Sequence, residues 1–444
     1  MKRFVQTVLY FTLFGAVTAH GVEIKLLVTC GTVGHLEFTL GESGATGGIS
    51  ARSALFQTFL HQAEHGLIID MGDLLPRRVE KLDRRVDRMI AQTYLEAMKA
   101  IGYRLAAFGP DDLHYLGQDL QSLETYGIPW LATNLSGAES FWKPYVILQV
   151  ESQKIGFLAV PLLADEKSPG EGRLFCERTL QRIAEAAKTM REKEKADAVI
   201  LMAHVSLAEA ASWLGPYQDS PIDLVMGLGE ENEVQPVGKA FAAAVASGDD
   251  TATLLTLTVE PGAGLKNVRN EALHIDADGV EDSAMRAFLD QAYTRMAQKV
   301  GAGWNGPFVL QNLSEEQDPM KEYAGSTLCL DCHEEAYNQW AETRHATAFN
   351  SLFDTNRHWI KECAMCHATG MGKSSGFVSF SSTPKFMHVG CETCHGPGLK
   401  HVDAQGTEPI RRTPKKELCT QCHDEKNSPN FQKRFEEYYN KIVH

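Results

Sequence analysis

Four times in its last third the chain repeats cysteine, two residues, cysteine, histidine: CLDCH, CAMCH, CETCH and CTQCH. These are Cys329/Cys332/His333, Cys363/Cys366/His367, Cys391/Cys394/His395 and Cys419/Cys422/His423. The spacing is that of c-type haem attachment. Two thiols three positions apart lie on one side of a helical turn and add to the two vinyl groups of one porphyrin. The next residue, an imidazole, then swings under the iron as proximal ligand. The motifs start 34, 28 and 28 residues apart, which chance repetition does not explain. A disulfide framework does not place histidine after every second cysteine. Paired C-x-x-C units that bind zinc do not need that histidine either. The reading is therefore four covalently bound haem c groups.

Such a load of porphyrin restricts the tail. About 125 residues serve four haems, about 31 each, too little protein for a conventional core. The porphyrins must supply most of the apolar interior and must lie close together, within reach of electron tunnelling. Nine of the 16 histidines fall in this stretch. Four are proximal, which leaves His345, His358, His388, His401 and His444 as candidates for the sixth position of each iron. Met365 and Met371 are alternatives for one of those places.

At 444 residues the chain has room for two or three domains. It begins with Lys2 and Arg3, an apolar run from Phe4 to Val17, and Val17-Thr18-Ala19. That is the pattern of a secretory signal, residues 1–19, with cleavage expected after Ala19; an uncleaved anchor is the alternative. The run is short for a bilayer span, and no later segment reads as transmembrane. Export to the periplasm agrees with haem c, which is attached after translocation. Cys30 and Cys176 lie outside the motifs, and either a disulfide between them or two thiols is compatible with the sequence. The formal charge of −14 is uneven: residues 318–444 carry 15 basic and 16 acidic side chains, leaving −13 for the remainder. Nucleic acid is not an expected partner; a protein with a basic patch is.

Residues 20–305 read as an α/β domain with a largely buried sheet. Strand-like runs occupy 24–29, 67–71, 103–108, 198–203 and 222–227. Helical stretches at 50–64, 81–101, 111–126, 177–192 and 206–214 lie between them. Residues 146–150 and 154–160 read as a hairpin, 253–259 and 270–275 as further strands, and 282–300 as a closing helix. The basic run at 77–88 is most simply a solvated helix face. Residues 306–325 read as a linker, and 326–444 as the mostly α, cofactor-packed haem domain.

The order of elements in 22–300 resembles the 5′-nucleotidase branch of the metallophosphoesterases. The resemblance is carried by KLLVTCGTVGHLE from Lys25, GGISARSALF from Gly47, IIDMGDLL from Ile68, AFGPDDLHY from Ala107, ILMAHVS from Ile200 and VMGLGEE from Val225. It implies a layered αββα sandwich with a two-metal site that activates water against phosphate esters. Position by position, the site is depleted. Gly31, Val33, Pro110, Leu228 and Glu230 stand where the family has Asp, His, Asn, His and His. Asp111 replaces the catalytic His, and Asp73 and His204 are retained. Four of these replacements offer no side-chain donor, so no dinuclear metal centre and no phosphoesterase activity are expected. The alternatives are a single ion among Cys30, His35, Asp73, Asp111, His114 and His204, or a retired cleft whose residues bond one another. The domain would then dock a partner or form one wall of the haem domain.

The tail resembles the tetrahaem cytochrome c-554 family. The shared features are W-x₄-H after the first motif, CAMCHATG at the second, and HVGCETCHGPGLKH around the third. By that resemblance His345, His388 and His401 are distal ligands. His345 lies 12 residues after His333, about 120° beyond whole helical turns, so it serves another haem, expected to be the third. His358, His444, a methionine or nothing fills the last position. The expected function is a periplasmic relay of electrons between redox partner proteins, a quinol-linked membrane donor and a downstream cytochrome or reductase. Other readings are an oxidoreductase acting on a small nitrogen or sulfur compound at a five-coordinate haem, an active metallophosphohydrolase, and a haem-wire oligomer joined through His444.

Overall fold

The computed structural model describes residues 21–444 except 38, 42–43, 76–83, 117–125, 136–141, 162–168, 215–220, 231, 277–280, 301–321, 359, 372, 374, 379–382, 424–427 and 429. The expected signal, most of the linker and most of the basic run at 77–88 lie outside the described residues, as do the side chains of His114 and Cys176.

Two sheets make the N-terminal part. The first is built on β1 (Val22–Thr29), β4 (Gly66–Asp70) and β5 (Tyr103–Ala107), in parallel. It continues to β6 (Trp130–Leu131) and β7 (Trp142–Lys143) on one side. On the other side it ends in the antiparallel strands β14 (Thr251–Glu260) and β15 (Gly264–His274). The second sheet holds, in order, β12 (Val234–Val237), β13 (Ala240–Val245), β11 (Leu224–Leu228), β10 (Ala198–Ser206), β9 (Gln153–Val160) and β8 (Val146–Val150). A small hairpin, β2 (Thr39–Gly41) and β3 (Gly44–Thr46), lies apart.

Central strands buried on both faces read as continuous apolar runs. In β1, Ile24, Leu26 and Val28 meet Ile155, Phe157, Ile200 and Met202 of the other sheet in one buried cluster. Leu27 points the opposite way, into a cluster with α1 (Ile49–Gln62), α2 (Arg84–Ile101) and α6 (Ser283–Val300). Behind the second sheet, α4 (Pro169–Glu192) and α5 (Leu207–Ser212) cover Val199, Leu201 and Val225. The result is helix, sheet, sheet, helix: the αββα sandwich. The hairpin expected at 146–160 is the antiparallel pair β8–β9. Helix α3 spans Pro110–Leu116, and the rest of the helix expected to 126 falls largely outside the described residues.

The C-terminal part has no sheet among its described residues. Its helices are short: α7 (Glu334–Ala341), α8 (Asn350–Asp354), α9 (Lys361–His367), α10 (Cys391–His395), α11 (Leu399–Asp403), α12 (Lys416–Cys419) and α13 (Phe435–Tyr439). Helices of eight residues or fewer are not stable alone. The main apolar cluster of this part is Phe349, Leu352, Ala364, Ala368, Met371, Phe377 and Phe386.

Candidate functional site: a sealed cleft and a row of thiol pairs

Ligand sites of open α/β sheets gather at the carboxyl ends of their strands. Here Cys30 follows β1, Asp70 and Asp73 close β4, Asp111 and Asp112 open α3 after β5, and His204 sits near the end of β10. These groups bond one another. His204 Nε2 lies 3.0 Å from Asp73 Oδ2, and its Nδ1 lies 3.7 Å from Cys30 Sγ. Asp73 Oδ1 accepts the Asp111 N–H at 2.8 Å. Asp112 accepts the N–H groups of Asp73, Leu75 and Gly109, each at 2.8 Å. It thereby ties the β4 and β5 loops together, a role the sequence pattern did not single out. The loops touch so closely that a Cβ on Gly72 would lie 2.5 Å from the Gly109 nitrogen. Asp70 accepts from Thr29 at 2.6 Å and from the Gly72 N–H at 2.8 Å, and its burial pushes its pKa up to about 7. His35 turns elsewhere, to Asp249 at 2.6 Å. Among the described residues no three His, Cys, Asp or Glu side chains are placed to hold one metal ion. Cys30 is a fully buried free thiol.

Burial opposes charge on His204, but its bonds to Asp73 and Cys30 outweigh that and push its pKa up to about 11. The folded value lies above the unfolded one, about 6.5 for histidine. The pair's contribution is therefore complete below the unfolded value and lost as pH rises through the folded one. Asp73→Ala is expected to lower the stability of this domain by about 2 kcal/mol, the range of a hydrogen bond to a charged group. Urea unfolding at acid, neutral and alkaline pH checks it: the gap between wild type and variant narrows as pH rises.

In the C-terminal part all eight motif cysteines are free thiols. Local backbone geometry sets each motif: the His333 N–H bonds to the Cys329 carbonyl and that of His423 to the Cys419 carbonyl, both at 2.9 Å. The motifs follow one another in space. Cys329 of the first shares a hydrogen bond with Cys391 of the third. Cys394 of the third stands within electrostatic reach of Cys419 and Cys422 of the fourth. Cys366 of the second lies 3.8 Å from the Gln421 carbonyl in the fourth.

Burial corrects one expectation. Thiols that anchor a haem-packed interior should be at least partly covered, and seven of the eight motif cysteines are half-buried. Cys332 is not: it is exposed, together with its neighbours Asp331 and His333. The reason is local. The Cys332 N–H bonds to the Cys329 carbonyl at 3.3 Å, a tight turn that lifts residues 331–335 onto the surface just before α7. A thioether at Cys332 would therefore set one edge of the first haem at the surface, where the sequence reading had placed it inside.

Whether these residues suit haem is tested by the imidazoles. A metal–nitrogen bond of about 2.0 Å, with the nitrogen about 1.1 Å from its ring centre, puts two imidazoles on one metal ion about 6.2 Å apart, centre to centre. His333 and His401 stand 6.2 Å apart, with ring planes within 19°. His345 and His423 are 5.9 Å apart, and His395 and His444 5.5 Å. Several rings also have Nδ1 beside a carbonyl: Ala348 for His367 (2.7 Å), Arg411 for His395 (2.6 Å) and Glu408 for His401 (2.6 Å). With the proton on Nδ1, the Nε2 lone pair faces outward as ligand. The donor set fits haem c, which supplies one-electron chemistry when bound.

His345 was expected at the third haem. Its carbonyl does accept the Val389 N–H, two residues before Cys391, but its ring lies beside His423 of the fourth motif. The ring belongs to a short turn, Arg344–Thr347, whose direction is set by packing beyond the helix and not by helical phase. His388 uses Nδ1 to accept the Phe349 N–H at 3.1 Å, and the ring of His358 lies 4.6 Å from that of Phe353. Among the described residues no second histidine ring is paired with His367.

The two halves thus define a multihaem c-type cytochrome region joined to a phosphoesterase-type αββα sandwich. Residues 328–396 match the family model "Cytochrome c554 and c-prime". Cytochrome c-554 of Nitrosomonas europaea is 30% identical over 123 residues, covering 23% of this chain and 52% of that protein. The 5′-nucleotidase precursor of Thermus thermophilus shares the N-terminal fold, with a TM-score of 0.51 and 17% identity over 63% of this chain and 59% of its own. The NAD nucleotidase of Haemophilus influenzae follows, with a TM-score of 0.47, 14% identity, and coverage of 63% and 61%. The chain spans about half of the cytochrome's length and less than two thirds of either nucleotidase. The C-terminal part resembles cytochrome c554, with covalently bound haem c; the N-terminal part resembles the 5′-nucleotidase type of metallophosphoesterase in fold. No helix among the described residues is long and apolar enough to cross a membrane.

Proposed function

We propose that this chain is a periplasmic tetrahaem cytochrome that relays electrons between redox partner proteins, and that its phosphoesterase-type domain is not catalytic. The observation that carries the reading is the run of four thiol pairs, each followed by histidine and set in spatial succession: first, third, fourth, second. A relay needs only closeness and matched potentials, and the protein sets the latter through ligation, burial and charge. His333, His367, His395 and His423 are the proximal ligands. His345, His388 and His401 are taken as distal ligands, with His444 beside His395 and His358 near the second motif as further candidates. The surface position of Cys332 suits this role, since an electron must enter or leave the row through a haem edge that a partner can reach. A quinol-linked membrane donor and a downstream cytochrome or reductase are the partners in this reading. For the N-terminal cleft, Gly31, Val33, Pro110 and Leu228 lack metal donors, and the retained Asp73 and His204 bond each other.

The test is expression with a c-type maturation system. The expected product is red, gives a pyridine haemochrome spectrum and carries the mass of four haems beyond the processed chain. A colourless product of unmodified mass removes the reading. A second reading is favoured by one observation: the second motif's His367 has no paired histidine ring among the described residues. That haem would be five-coordinate and bind a small nitrogen or sulfur compound. Cyanide or nitric oxide that alters only one haem supports it; four unreactive haems reject it.

A further inference from the structure

The second motif is also the one that meets the other domain. Ile360, the residue before α9, is 6% exposed and belongs to the buried cluster of the αββα sandwich, together with Leu289, Tyr293 and Met296 of α6. Cys363, the first thiol of the motif, packs against the same cluster. Arg357 binds the Asp290 carboxylate and places its guanidinium 5.7 Å from the centre of the Tyr293 ring. The Ile360 N–H bonds to the Arg357 carbonyl at 2.9 Å, so the arginine and the start of α9 move together. The Tyr293 hydroxyl donates to Glu37 at 2.6 Å, and Arg286 grips both oxygens of Glu37 at 2.8 Å each. Glu37 is 6% exposed. Two arginines, two carboxylates and a tyrosine therefore join the sandwich to the approach of one thiol pair.

We propose that this junction is part of the second haem's pocket, in which Arg357 and Asp290 fix the local charge and Tyr293 of α6 supplies one wall. The inference rests on the haem reading above. It gives the phosphoesterase-type domain a task that needs no metal: it holds and tunes one centre of the relay. Arg357 is a positioning residue, and its charge acts at short range in a partly buried setting, where screening by salt is weak.

The test is potentiometric titration of the full-length haem-loaded protein, with the low-temperature electron paramagnetic resonance spectrum of each variant. Arg357→Gln removes a positive charge and is expected to lower one of the four midpoints. Asp290→Asn removes the opposing negative charge and is expected to raise the same one. Arg357→Lys restores the wild-type value, and the other three midpoints hold throughout. A role limited to folding would move the melting temperature and leave the potentials alone. Variants that leave all four midpoints in place, or move all four alike, overturn the inference. Should Arg357→Gln fail to fold, the Asp290→Asn titration decides it. A wild-type protein without titrating haem instead overturns the underlying reading, so the two failures are distinct.

Discussion

Changing all eight motif cysteines to alanine is expected to leave the C-terminal part without a fold while the αββα sandwich survives. The sandwich has three buried clusters, spread over both sheets and both helical layers. The tail has one modest cluster and helices of at most eight residues. Backbone ordering costs about 1–2 kcal/mol per residue, and apolar burial must offset it. Seven buried side chains cannot offset it for a stretch of this length, so the porphyrins have to provide the missing apolar surface. Limited proteolysis reads the result directly: a resistant fragment ending near Val300, and rapid loss of everything after it. Far-ultraviolet circular dichroism should show one transition belonging to the sandwich. Its midpoint is expected to fall modestly, because Ile360 and Cys363 no longer cover α6. A haem-free tail that resists protease would show that protein packing alone suffices, and the cofactor-packed reading would fail.

The same physics decides how much was legible from the chain. Strands β1, β4, β5, β10 and β11 could be read because both their faces are buried, which leaves continuous apolar runs. Strands β12 and β13 could not: Val234–Val237 is a short edge with a proline, and Ala240–Val245 is alanine-rich, a composition without strand preference. The thiol pairs and proximal histidines could be read because the chemistry requires them to be adjacent in sequence. Their burial could not, as the exposed Cys332 shows: the motif fixes spacing and says nothing of which side of a turn meets solvent. Distal histidines lack even the constraint of adjacency. His401 meets His333 from 68 residues away, and the turn carrying His345 is steered by Val389 and Trp340, whose Nε1–H bonds to the Val389 carbonyl at 2.9 Å. Glu37, Asp112 and Arg52 were likewise invisible as buried groups. A lone charged residue in a sequence looks exposed until its partners are known: Arg286 and Tyr293 for the first, three backbone N–H groups for the second, Tyr94 and the Asp249 carbonyl for the third.

His401→Ala is expected to convert one haem of the four from low spin to high spin and open it to cyanide. The loss of a donor imidazole also favours the ferrous state, so the midpoint of that haem rises while the others hold. The argument rests on the 6.2 Å separation from His333, which leaves room for one iron between two imidazoles, and on the Glu408 carbonyl that holds Nδ1 of His401. His345→Ala should do the same to a different haem, because its ring stands 5.9 Å from His423. The double variant should then show two high-spin haems, the sum of the single changes. His358→Ala, beside Phe353 and not beside a motif histidine in any described ring pair, is expected to leave the spin state of all four unchanged. Optical spectra resolve these cases, since each opened haem adds about a quarter of the total high-spin signal if four haems are present. If His401→Ala stays fully low spin, its ring is not an iron ligand, and the agreement of spacing with one shared metal ion is a coincidence of packing.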